Sequence, residues 1–282
     1  MITPALRPCG DHSLSDQSKR QALDPMTPWG RPHDLLWVAP GVAPECLRPL
    51  EGDTLASWVQ CLAGPVVVRR GPAPVGHIAI GLRGRHKGER QAATIAKAAV
   101  IKGITPDALA SAYIWAHYRM DHPVLQRLQT AAPILNEWVA AHKGECLSWG
   151  ITGSLGYELA SGLKQLHQNS DLDLLLRCPQ PLARQQAQQL WDQLNGCRND
   201  TRLDIQLETP HGAISLAEWA SHSPQVLLKT EQGPQLTDHP WPRPALHLSS
   251  RHEGKSLENE SLENESLESE SIESESLEAR DV

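Results

Sequence analysis

Apolar residues along this chain fall into short runs with two distinct periods. Residues 202–208 (RLDIQLE) alternate strictly, with Leu203, Ile205 and Leu207 on one face and Asp204, Gln206 and Glu208 on the other. A period of two predicts a strand with one buried face. Residues 171–177 (DLDLLLR) predict a second strand, whose run of Leu174, Leu175 and Leu176 suits burial on both sides. Further strands are expected at 34–38, 65–70, 76–82 and 147–152, with a final one at 225–229. Helices are expected at 54–62, 89–101, 106–117, 123–142, 154–166, 181–194 and 215–220. Thr105 before Pro106 reads as an N-cap followed by a first-turn proline. Strands that alternate with helices predict an α/β (α+β) architecture: a mixed sheet with flanking helices, preceded by a smaller α+β domain.

The ends of the chain have a different texture. Residues 1–30 are Pro-rich and polar and read as a flexible extension; they lack the apolar core of a signal peptide, and Asp11, Asp16 and Asp24 argue against a transit peptide. Residues 256–280 run as five pentads, SLENE, SLENE, SLESE, SIESE and SLEAR. A five-residue period advances a helix by about 140° per repeat, so the apolar position spirals and lines no face. A disordered acidic tail over 250–282 is the expectation. Between the two ends lie an N-terminal domain at 31–144 and a second domain at 145–249.

Charge changes the picture once the tail is set aside. From Arg251 onward there are 11 acidic and 3 basic residues, so the rest of the chain carries 22 acidic and 23 basic groups and is near neutral. Such a body is not a bulk nucleic-acid binder. No apolar run reaches the ~20 residues of a membrane helix. The six cysteines show no CxxC spacing and read as reduced, small hydrophobic side chains in a cytoplasmic protein.

The candidate chemistry lies between these extremes. Gly153 and Ser154 open a predicted helix, with Ser154 placed as its N-cap, and the free N–H groups of a helix start suit a phosphate. Asp171 and Asp173 share one side of the next strand. Two adjacent carboxylates repel unless a cation lies between them, and Mg²⁺ takes carboxylate, phosphate and water oxygens. If the strand carrying Asp204 lies beside the first, Asp204 completes a three-carboxylate cluster able to hold two ions about 3.5–4 Å apart. Each part alone has a plain structural reading: a common helix start, a surface DxD, a half-exposed strand. Arg83, Arg85, His86, Lys87 and Arg90 form the densest basic cluster of the body, with Arg69 and Arg70 a second candidate for phosphate charge. His33 reads as a residue that orients the junction between domains.

Gly-Ser, DxD and a strand Asp in this order resemble the nucleotidyltransferase superfamily signature, although the 16 residues between Ser154 and Asp171 make a longer spacing than that superfamily shows at large. RPHDLLWV (31–38), PVVVRR (65–70), GLRGRHKGERQAA (81–93), WGITGSLGYELASG (149–162), HQNSDLDLLLR (167–177), RLDIQLETPHGAISLAEWA (202–220) and VLLKTEQGPQL (226–236) narrow the resemblance. Together they resemble the malonate decarboxylase holo-acyl-carrier-protein synthases, also called phosphoribosyl-dephospho-CoA transferases. The resemblance implies a nucleotidyltransferase-like sheet at 145–249 and transfer from 2′-(5″-triphosphoribosyl)-3′-dephospho-CoA to a serine of the acyl carrier protein subunit of malonate decarboxylase, with loss of diphosphate. It implies that Asp171, Asp173 and Asp204 are catalytic and hold Mg²⁺, and that Gly153 and Ser154 bind the leaving phosphates. Arg83, Arg85 and Lys87 are expected to bind substrate.

The alternatives are a nucleotidyltransferase with another small-molecule or protein acceptor and a non-catalytic binding module on the same fold. No HExxH, GxxxxGK[ST] or GxSxG is present, and no GxGxxG follows a strand, so zinc, P-loop, hydrolase and dinucleotide chemistries lack their residues.

Overall fold

The computed structural model describes residues 29–242 except 40–46, 51, 53, 62–63, 85–87, 112–113, 119–120 and 197–199. The expected N-terminal extension up to residue 28, the acidic tail, and Arg85, His86 and Lys87 lie outside the described residues.

The first sheet is built from β1 (Leu35–Val38), β2 (Leu47–Pro49), β3 (Val66–Val68), β4 (His77–Arg83), β5 (Arg90–Ala96) and β6 (Val100–Ile104). Its order is β2-β5-β4-β3-β1-β6, and its pairings are antiparallel. Leu36, Ile80, Leu82 and Ile95 are fully buried at its core.

Two helices follow, α1 (Pro106–Ser111) and α2 (Pro123–Ala141). Thr105 Oγ1 accepts from the Ala108 N–H at 3.2 Å, which is the expected cap. The second sheet and its helices are β7 (Ser148–Ile151), α3 (Gly153–Ser161), β8 (Leu172–Arg177), α4 (Arg184–Asn195), β9 (Leu203–Thr209), β10 (Gly212–Ser215), α5 (Leu216–Ala220), β11 (Val226–Thr230) and β12 (Gly233–Thr237). Its order is β12-β11-β10-β9-β8-β7. β8 and β9 pair in parallel and its other pairings are antiparallel, so the sheet is mixed and the fold is α+β. A parallel pair needs a crossover, and α4 supplies it. The main core joins Leu128 and Leu135 of α2 to Leu174, Leu176, Ile205 and Leu207 of the sheet.

Four expectations are corrected. Residues 89–101 are not a helix: they form β5, a 3-10 turn at Lys97–Ala99 and the start of β6. The alanines that favour a helix contribute only tenths of a kcal/mol each, while pairing with β4 along the whole of β5 satisfies the backbone and buries Ala93 and Ile95. The helix expected over 154–166 ends at Ser161, because Gly162 adopts φ 72° and closes it with a left-handed cap. Thr152 rather than Ser154 is the N-cap residue of that helix. The strand at 225–229 is not the last, since β12 pairs with it.

One buried ion pair ties α1 to β8. Arg177, at 6% exposure, donates Nε–H to Asp107 Oδ1 at 2.8 Å. Removing one partner leaves a buried charge alone. Asp107→Ala is expected to lower unfolding stability by about 2–3 kcal/mol, and Asp107→Ala with Arg177→Met to recover part of it, read by urea denaturation.

Candidate functional site

The parallel register of β8 and β9 sets Asp173 directly against Asp204. Asp171 precedes Asp173 by two residues and shares its side of the strand. The three expected carboxylates are thereby brought to one end of the parallel pair. Burial, then the charges of Asp204 and Asp171, push the Asp173 carboxyl up to about 6, against the smaller opposing pull of Arg202 and Arg83. Among the described residues no three His, Cys, Asp or Glu side chains are gathered as a ready-made metal cage.

Gly153 closes the site from the β7 side. Its φ is +62°, and a Cβ there would collide with the Asp173 carboxylate. Glycine is therefore required twice, for the left-handed backbone and for the close approach. The Thr152 N–H donates to the Asp173 carbonyl at 3.0 Å, which fixes the turn to β8. Behind this turn lies the start of α3, whose first N–H groups have no partner within the helix.

Arg83, at the end of β4, crosses from the first sheet to the second. Its Nη2 donates to Ser154 Oγ at 3.1 Å, and its guanidinium lies 5.1 Å from the centre of the Tyr157 ring. Burial and the neighbouring Arg90 lower its pKa, and Asp173 opposes this. Arg90 reaches the site because residues 90–96 are a strand. Arg85 and Lys87, expected with them, lie outside the described residues.

Two clefts meet at these residues. One, of about 430 Å³, is lined by Arg83, Arg90, Lys164 and His167 on one side and Asp171 and Asp173 on the other. The second, of about 630 Å³, runs between the two sheets and shares Arg83, Arg90, Ser154 and Asp173 with the first. Its far wall holds His33, Arg69 and Gln206 over an apolar floor that includes Leu35, Val67 and Ile151. Asp204 lines neither of these clefts; it faces a third, with Arg127 and Arg202.

Lys164 and His167 were not anticipated, because they stand where a helix or its end was expected. The signal was Gly162. The released segment is held by Glu158, fully buried in α3, whose Oε2 accepts from the N–H groups of Gln165 at 2.5 Å and Leu166 at 2.7 Å. Tyr118 donates to its other oxygen at 2.7 Å. The long spacing from Ser154 to Asp171 is thus an anchored loop that adds two basic side chains to the smaller cleft.

Arg70, the other half of the expected second basic pair, is engaged: it forms an ion pair with Glu208, and both are mostly buried. Arg69 is exposed and lines the larger cleft.

The comparisons with known proteins define a transferase. Residues 31–106 match the phosphoribosyl-dephospho-CoA transferase MdcG N-terminal domain, and residues 118–240 match the phosphoribosyl-dephospho-CoA transferase MdcG C-terminal domain. The chain belongs to the phosphoribosyl-dephospho-CoA transferase family. A protein of that name from Pseudomonas putida is 42% identical over 211 residues, which cover 75% of this chain and 95% of the relative. One from Azotobacter vinelandii is 40% identical over 211 residues, 75% and 94% of the two chains. One from Pseudomonas aeruginosa is 39% identical over 214 residues, 74% and 93%. No solved structure matches the chain.

Because the Asp173 carboxyl is raised from 3.8 to about 6, its ionisation opposes folding: its contribution is fully present below about pH 4 and lost as pH rises through 6. Asp173→Asn is therefore expected to be more stable than the parent at pH 7, by about 2 kcal/mol. The difference should vanish below about pH 4, where both states of the parent bind the proton. Denaturation of both proteins across this range checks it.

Proposed function

We propose that this chain transfers phosphoribosyl-dephospho-CoA from 2′-(5″-triphosphoribosyl)-3′-dephospho-CoA to a serine of the apo acyl carrier protein subunit of malonate decarboxylase. Diphosphate leaves, and a phosphodiester joins the prosthetic group to the carrier. The chemistry is that of a nucleotidyltransferase and runs in the cytoplasm; among the described residues no helix is long and apolar enough to cross a membrane. The observation that carries the reading is the contact of the Gly153 turn with Asp173, beside Asp204 and a basic cleft, in a chain of this family.

The donor set suits Mg²⁺. Asp204 and Asp171 raise the negative potential at Asp173, and a hard cation that keeps waters and takes one or two carboxylates plus substrate phosphates needs no complete protein cage. Asp171, Asp173 and Asp204 would hold it, and when bound it neutralises charge on the phosphate oxygens. The chain's own residues do the rest. The α3 N-terminus and Ser154 cradle the leaving phosphates, while Arg83, Arg90 and Lys164 balance the several negative charges of a triphosphate. The carrier serine oxygen attacks the α-phosphorus as the bond to diphosphate breaks, a displacement that depends chiefly on alignment and charge neutralisation. Asp204, paired with Asp173 across the two strands, would take the serine proton.

Incubating the purified protein with apo carrier, Mg²⁺ and the triphosphoribosyl donor is expected to raise the carrier's mass by one prosthetic group. An unmodified carrier would overturn the assignment and leave another acceptor or a binding role. Asp171→Ala and Asp173→Ala are each expected to lower the transfer rate by at least about 10³-fold while circular dichroism stays unchanged. Near-normal turnover in either would remove the metal role.

A further inference from the structure

The larger cleft contains a residue that its structural surroundings do not account for. His33 holds φ +74°, the one positive value outside glycine among the described residues. Its Nε2 is buried without a partner of hydrogen-bonding geometry, and the Gln206 side chain is the polar group that faces the ring. A left-handed backbone at a residue with a side chain and a buried polar atom left unsatisfied are both unfavourable.

The turn is built to hold it there. Asp34, fully buried, accepts from the Gly30 N–H at 2.9 Å and the Arg31 N–H at 3.0 Å, while the His33 N–H donates to the Val68 carbonyl at 2.8 Å. These bonds place the imidazole on the wall of the cleft, beside Gln206 of β9. Burial, then the charge of Arg70, lower its pKa to about 4, with the Gln206 side chain pulling the other way. At neutral pH the ring is uncharged, so it suits a neutral hydrogen-bonding group and not a phosphate.

Register sets its distance from the reacting end. Gln206 follows Asp204 by two residues on the same face of β9, which is roughly 7 Å along the strand. That is about the step from a reacting phosphate to the sugars and base behind it. The floor near His33 is apolar, through Leu35 and Val67, with Arg69 on the same wall, while Arg83 and Arg90 are shared with the phosphate cleft.

We propose that the cleft between the two sheets seats the dephospho-CoA nucleoside of the donor, and that His33 and Gln206 are the hydrogen-bonding pair that reads it. This rests on the donor assignment above and divides the donor between two chambers. Phosphates go to the carboxylate and arginine side; the sugar and base go to His33.

The test is binding of two probes to the full-length chain by calorimetry: dephospho-CoA, and tripolyphosphate with Mg²⁺. His33→Gly removes the ring and relieves the left-handed strain, so the fold is kept. His33→Gly and Gln206→Leu are each expected to weaken dephospho-CoA binding by about tenfold, the effect of one hydrogen bond, and to leave tripolyphosphate binding unchanged. Arg83→Ala is expected to do the reverse. Unchanged dephospho-CoA affinity in both His33→Gly and Gln206→Leu would overturn the proposal, and so would an equal loss for both probes. A protein that binds dephospho-CoA in this His33-dependent way yet fails to modify the carrier would refute the acceptor assignment alone.

Discussion

Two strands that run parallel and in register force carboxylates that repel each other to share one edge. Asp173 lies opposite Asp204 because Leu172–Arg177 and Leu203–Thr209 pair residue for residue. The repulsion and burial are worth a few kcal/mol, judged from the raised Asp173 carboxyl. The same register buries Leu172, Leu174, Leu176, Ile205 and Leu207, each at 1% exposure or less. At about 1.5–3 kcal/mol per side chain, that burial outweighs the repulsion several-fold. The apolar face thus holds an electrostatically unfavourable polar edge in place, an arrangement that a cation and phosphates would relieve.

The first sheet completes what the second begins. Arg83 and Arg90 come from a hairpin distant in sequence and meet the Gly153 turn and the loop that Glu158 anchors. Four segments therefore converge on one polar cleft, and each contributes what the others lack. The carboxylates Asp171 and Asp173 come from the start of β8, the helix start from α3, and most of the positive charge from the β4–β5 hairpin and the 164–167 loop.

Much of this was legible in the sequence, for identifiable reasons. The strict alternation around Leu203, Ile205 and Leu207 located β9 and its polar face, and the pattern of Asp171 and Asp173 located the edge of β8. The Gly-Ser turn was visible as a turn, but which residue caps the helix was not, because the helix begins at the left-handed Gly153 and its cap is Thr152, two residues before Ser154. Residues 90–96 misled because Ala-rich composition favours a helix weakly while strand pairing, which decides the matter, is set by a partner elsewhere in the chain. Lys164 and His167 were hidden for a related reason: the helix expected over 154–166 ran past Gly162, whose left-handed cap ends it. His33 was legible as a residue of the junction, but its cleft is made by two sheets that no local pattern could bring together.

On the proposed function, Asp171 and Asp173 would hold the metal that meets the donor's phosphates beside the Gly153 turn. A crystal structure with Mn²⁺ and the triphosphoribosyl donor tests this most directly, through the anomalous signal of the metal. A peak beside the two aspartates and the donor phosphates is expected, with the phosphates against the α3 N-terminus. Metal bound away from both aspartates, or phosphates seated at the His33 end of the cleft, would contradict it.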